Sequence, residues 1–155
     1  MPRLIFFSLI ALLVSCQTSS NKESDGGKTK QETISTYPML PVAEHQWLAN
    51  NCDYIDYLYY ELPMSMSFHD KASIVSAIAH IGDLPAPTSI PCKSIGRVSY
   101  QQNGEIKLEA EMYYANGCTY FVFLKNNKPT YGNAMTGAAI NFYANVFKQA
   151  NVKPK

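Results

Sequence analysis

The sequence predicts an α+β fold, an antiparallel three- to four-stranded meander sheet packed against two N-terminal helices and one C-terminal helix. Three observations carry this. Apolar residues recur at spacings of three and four up to about residue 81 and again after residue 134, as on the buried stripe of a helix. Between them lies a block in which apolar residues fall at every second position, the mark of a strand with one buried face. Two Asn-Gly pairs, Asn103-Gly104 and Asn116-Gly117, interrupt that block where hairpin turns need a left-handed backbone.

Trp47, Leu48, Cys52, Ile55, Leu58, Tyr59 and Leu62 fit one helical stripe, which Pro63 closes. A second helix is expected from Asp70, a good N-cap, to Ile81, with Ile74, Val75, Ile78 and Ile81 inward and Gly82 at the stop. Pro85, Pro87 and Pro91 then enforce a loop. Ile106, Leu108, Ala110 and Met112 alternate with Lys107, Glu109 and Glu111 on the central strand. A three-residue loop Gln102-Asn103-Gly104 sets Tyr100 opposite Ile106 and Val98 opposite Leu108, whereas a two-residue turn mixes the faces. At Asn116-Gly117 the two-residue turn pairs Met112 with Phe121 and Ala110 with Phe123. A short fourth strand is expected at Thr130-Tyr131. A last helix is expected over Ala134–Lys148, with Met135, Ala139, Phe142, Tyr143, Val146 and Phe147 on its apolar side.

The chain has 155 residues, 46% hydrophobic and 16% charged. That bounds it to one domain or little more and excludes wholesale disorder. With 13 Lys+Arg against 12 Asp+Glu it has no basic footprint for nucleic acid.

Met1–Arg3 is a short basic start, and Leu4–Val14 is an eleven-residue apolar run interrupted by Ser8. As a helix the run spans roughly 16 Å, too short for a hydrocarbon core of about 30 Å. It matches the apolar stretch of a secretory signal. Leu13-Val14-Ser15-Cys16 resembles the lipobox of bacterial lipoproteins. The resemblance implies cleavage before Cys16 and attachment of acyl chains, such as palmitate, to it. It also implies a cell-envelope location on the periplasmic side; Gln17, where Asp favours inner-membrane retention, points to the outer membrane. The plainer readings are an ordinary secretory signal with a chance Cys, or a short buried helix.

Residues 16–37 then read as a lipidated N-terminus and tether, with Lys22, Lys28, Lys30, Glu23, Asp25, Glu32, many Ser/Thr and almost nothing apolar. Residues 38–155 form the single domain.

Setting Cys16 aside leaves Cys52, Cys92 and Cys118, so at most one bridge forms within the chain. If Cys92 and Cys118 flank the middle strand they sit about 10 Å apart, beyond disulfide reach. Cys52 and Cys92 share the inward side, which favours Cys52–Cys92. If Pro91 turns Cys92 off the strand line, Cys92–Cys118 is the better pair. Three buried free thiols is the remaining possibility.

Ser76 and His80, with Asp70 and Asp83 at the helix ends, suggest a Ser-His-Asp arrangement, but the polar stripe of an amphipathic helix explains them as well. Met64, Met66 and His69 supply the soft ligands that Cu(I) selects, though Met residues in a helix connection also fill core gaps. The acid pairs Asp53/Asp56 and Glu109/Glu111 read as solvated faces rather than a glycosidase pair across a cleft. Tyr54, Tyr57 and Tyr60 lie off the helical stripe, and Tyr113 and Tyr120 share the outward sheet face. Tyrosine offers rigid, half-polar contact area, so these five residues mark a candidate partner surface; the competing explanation is a second covered core.

The expected function is thus a non-enzymatic binding module anchored in the envelope, with an envelope protein or glycan as partner and no cofactor. The alternative is a small envelope enzyme or copper-handling lipoprotein whose site is assembled from distant residues, among them His45, His69 or His80.

Overall fold

The computed structural model describes residues 35–115 and 117–153. The signal segment, Cys16 and residues 17–34 of the expected tether lie outside the described residues. In chain order the elements are α1 (Val42–Asn51), β1 (Tyr54–Tyr59), β2 (Ser65–Phe68), α2 (Lys71–Ile78), β3 (Ile81–Pro85), β4 (Gly96–Gln102), β5 (Glu105–Ala115), β6 (Cys118–Lys125), β7 (Lys128–Met135) and α3 (Gly137–Gln149). The α+β class holds, but the sheet has seven strands in the order β2-β1-β4-β5-β6-β7-β3, all pairs antiparallel. No helix among the described residues is long and apolar enough to cross a membrane.

The largest departure from expectation is the first helix. It occupies Val42–Asn51, not 47–62, and Cys52 already has an extended backbone (φ −64°, ψ 128°). The following residues form a strand: Ile55, Tyr57 and Tyr59 are buried, while Leu58, placed inward by the helical reading, is 55% exposed. β1 is held between β2 and β4, opposite Tyr100 at Ile55 and opposite Val98 at Tyr57. β1 and β4 approach so closely that a Cβ on Gly96 would sit 2.3 Å from the carbonyl oxygen of Leu58, so only glycine fits there.

The second helix begins as expected, with the Asp70 carboxylate accepting from the Ser73 amide. It ends at Ile78, Ile81 opens the edge strand β3, and Val75 is exposed rather than inward. Two helices precede β4, but both are shorter than expected, and β1, β2 and β3 are interleaved with them.

In the β4–β5 hairpin the turn is two residues, Asn103-Gly104, both with positive φ (53° and 78°), and Gln102 pairs with Glu105. A bulge between Tyr100 and Gln101 then shifts the register, so that Tyr100 faces Leu108 and Val98 faces Ala110. The bulge restores a common inward face, which is the service a longer loop was expected to perform. It leaves Ile106 57% exposed. The β5–β6 register, Met112 opposite Phe121 and Ala110 opposite Phe123, is the expected one. The strand expected at Thr130-Tyr131 runs from Lys128 to Met135, so Ala134 and Met135 belong to β7 and the last helix starts at Gly137. Its buried Ala139, Tyr143, Val146 and Phe147 are those the pattern marks.

All three helices cover one face of the sheet. Leu48, Ile74, Ala77, Ile78, Ala139, Tyr143, Val146 and Phe147 join the inward residues of β1, β4, β5 and β6 in a single core. Thr136 ties two helices together, its hydroxyl accepting from the Ala139 amide and donating to the Ala79 carbonyl. Buried Asn133 accepts from the Leu40 amide and donates to the Gly82 carbonyl, fixing the start of the domain and the edge strand to β7.

A second, smaller core lies on the opposite face, where Ala86, Cys118, Tyr120 and Val122 are covered with Tyr37, Cys92, Tyr113 and Ala115. The segment after β3 is strapped over this end of the sheet. Here Cys92 pairs with Cys118, Cα atoms 6.4 Å apart, and Cys52 is a buried free thiol. Cys52–Cys92 is therefore incorrect: Pro91 precedes a Cys92 that lies in the strap, outside β4, and there the strand-spacing argument no longer applies.

Candidate binding face

The antiparallel ladders line up the back face, opposite the helices, in rows. Leu58, Arg97, Glu111 and Val122 face one another across β1, β4, β5 and β6; Asp56, Ser99, Glu109 and Leu124 form the next row. Tyr113 and Tyr120 are paired directly, their rings stacked at 4.6 Å.

Glu111 is the hub. Its carboxylate accepts from Arg97 Nε at 2.9 Å and Nη2 at 2.7 Å, from the Tyr60 hydroxyl at 3.0 Å and from the Ser94 hydroxyl at 2.6 Å. Arg97 Nη1 also lies 3.5 Å from Glu109. These two hydrogen bonds, both to Glu111 Oε1, with the charge of Glu109 nearby, raise the Arg97 guanidinium above its ordinary range. Partial burial and the hydrogen bond to Glu111 push the Tyr60 phenol up. Farther along, the Ser67 hydroxyl donates to Asp56 and Lys93 pairs with Glu61. The same network cross-links strands and presents fixed donors and acceptors beside two exposed apolar groups, Leu58 at 55% and Tyr60 at 48%.

Of the five tyrosines marked in the sequence, Tyr54 and Tyr60 lie on this face and Tyr113 at its covered end. Tyr57 does not: it is 1% exposed on the helix side, among Tyr59, Phe68 and Phe142, and burial drives its phenol well above the usual range. Tyr120 is 4% exposed beneath the strap, so it too is core. Two further residues of this face, Arg97 and Leu58, carry no signal in the sequence: Arg97 sits among apolar and polar neighbours, and Leu58 fits a helical stripe although the segment is a strand.

The other candidates disperse. Ser73, Ser76 and His80 line a groove of about 260 Å³ with Phe68 and Phe142. His80 is 5% exposed rather than on a solvated stripe, its ring 4.9 Å from Phe142, and its Nδ1 has no hydrogen-bond partner. A triad needs an acid at one ring nitrogen and the nucleophile at the other. Asp70 instead caps its helix. Met66 packs against the main core while Met64 and His69 are exposed. Among the described residues no three His, Cys, Asp or Glu side chains are grouped to hold a metal ion.

The chain matches no family model, no curated protein and no solved structure. Its chemistry is read from its own residues.

His45 and Asp83 share a groove of about 270 Å³ with Met39, Val42 and Asn133. His45 Nε2 is 3.3 Å from the Ile78 carbonyl oxygen, which orients the ring.

Proposed function

We propose that this chain is an envelope lipoprotein, anchored through Cys16, whose domain binds an envelope protein or glycan on the open half of the sheet's back face. One observation supports the binding reading above others. Leu58 and Tyr60 stand exposed beside the Arg97–Glu111 hub on a sheet whose other face carries the main core. Such a surface is rigid before any partner arrives, so little ordering entropy opposes binding. Aromatic and guanidinium groups are also those that dominate partner recognition. The polar groups are held at fixed spacings, as recognition of sugar hydroxyls or a peptide backbone requires.

The test is capture from envelope extract by the full chain and by Leu58→Ala, Tyr60→Ala and Arg97→Ala. Loss of one common partner in all three, with each variant still folding cooperatively, supports the reading; equal capture by all four counts against it. For the anchor, labelled palmitate should enter the parent chain and not Cys16→Ala. The second reading, a small envelope enzyme, draws on the His45–Asp83 groove. It requires a substrate whose turnover is lost in His45→Ala.

A further inference from the structure

The described chain begins at Ser35, inside the expected 16–37 tether, and Thr36 and Tyr37 are already held against the sheet's β3 end, so the domain starts earlier than residue 38. The Thr36 amide donates to the Thr88 hydroxyl and the Gly132 amide donates to the Pro38 carbonyl, so residues 36–38 lie along the strap and β7. The next residues, Pro38, Met39, Pro41, Val42 and Ala43, are all exposed, and residues 37–43 carry no charge. Met39 is 45% exposed and Val42 71%. They line one groove with Asp83, and Leu84, the next residue of edge strand β3, is 63% exposed. These side chains put exposed apolar area beside a groove whose charged member is Asp83, and exposed apolar area of this kind seeks an apolar partner.

We propose that this patch rests on the lipid bilayer that holds the anchor. The proposal depends on the lipoprotein reading and adds an orientation to it. Eighteen residues, 17 to 34, separate Cys16 from the first described residue; even fully extended they reach at most about 65 Å. A surface kept that close to the bilayer experiences a high effective concentration of lipid, so a patch too small to bind vesicles unaided is occupied once tethered. Residues 37–43 carry no Lys or Arg and Asp83 is the charged group beside them, so the contact should not strengthen with anionic lipid, unlike a basic patch. The sheet order places β3 and β1 at opposite ends, five strand spacings or about 24 Å apart. Seating the β3 end on the bilayer therefore leaves Leu58, Tyr60 and Arg97 toward the far side of the sheet, clear of lipid and open to a partner.

The experiment uses the acylated full chain on vesicles of phosphatidylethanolamine and phosphatidylglycerol, with Cys16→Ala in solution as reference. The Met39, Val42 and Ala43 amides should exchange about threefold or more slowly on vesicles. The Met39→Ser/Val42→Ser/Leu84→Ser chain should lose that protection while staying vesicle-bound through its acyl groups and melting like the parent. Equal exchange in an acylated parent overturns the patch and leaves the anchor standing. A mass without acyl chains refutes the anchor, and the orientation with it. Protection that appears in Cys16→Ala alone and rises with protein concentration assigns the patch to a second copy of the chain and overturns the lipid contact.

Discussion

Arg97 and Glu111 stand directly opposite each other across β4 and β5, joined by two hydrogen bonds of 2.9 and 2.7 Å. Because Glu111 also accepts from Tyr60 and Ser94, one carboxylate serves three side chains on three segments. Glu111→Ala strands all of them, and the chain should lose about 1–2 kcal/mol in urea unfolding. Glu111→Gln keeps the shape and accepts fewer charge-assisted bonds, so its loss should be smaller. Equal losses in the two variants would show that packing rather than hydrogen bonding matters at this position.

His80 gives the fold an acid sensitivity. Burial lowers its pKa from the ordinary 6.5, so the folded state holds it neutral while the unfolded chain takes up a proton below that value. Its contribution to stability is thus complete above pH 6.5 and declines as pH falls from there toward the lower folded-state pKa. His80→Phe removes the proton uptake, so the melting-temperature difference between variant and parent should change steadily between those limits. A constant difference across the range would remove His80 as the cause.

The three cysteines of the domain should behave unequally. Cys92→Ala/Cys118→Ala frees a loop closed over 26 residues, at a cost of about 3.5 kcal/mol on the chain-entropy model. Cys52 should resist a thiol reagent in the native protein and react once unfolded, since burial raises its pKa and its thiol donates to the Tyr54 carbonyl. Rapid native labelling of Cys52 would contradict its place in the core.

Tyr57 and Tyr60 are three residues apart with opposite fates. Tyr57→Ala opens the main core and should cost about 3–5 kcal/mol, enough to abolish folding of a marginal domain. Tyr60→Ala removes a half-exposed ring and one hydrogen bond, so it should cost about 1 kcal/mol and act chiefly on partner capture. Circular dichroism melts of the two variants separate these outcomes.

The alternating block and its turns needed no distant information. Met112 to Phe121 and Ala110 to Phe123 follow from side-chain parity and a two-residue turn, and the buried face of α3 follows from helical spacing. Asp70 as a cap is equally local, because its carboxylate reaches an amide three residues away. The back-face hub was harder to see. It joins Tyr60, Ser94, Arg97 and Glu111 from β1's end, the strap and two strands, and nothing in their spacing announces a common carboxylate.

By itself the sequence determined the α+β class, the β5–β6 pairing, the inward face of the last helix and the expectation of a lipid address at Cys16. Tertiary structure alone decided that Tyr54–Tyr59 is a strand, that Cys92 meets Cys118, and that Tyr57 turns in while Tyr60 turns out. The reason is that Ile55, Tyr59 and Leu62 fit a helical stripe within a few residues, and over so short a run a strand fits comparably well. What breaks the tie is the backbone hydrogen bonding of β1 to β4, some forty residues on, together with the close approach that only Gly96 permits.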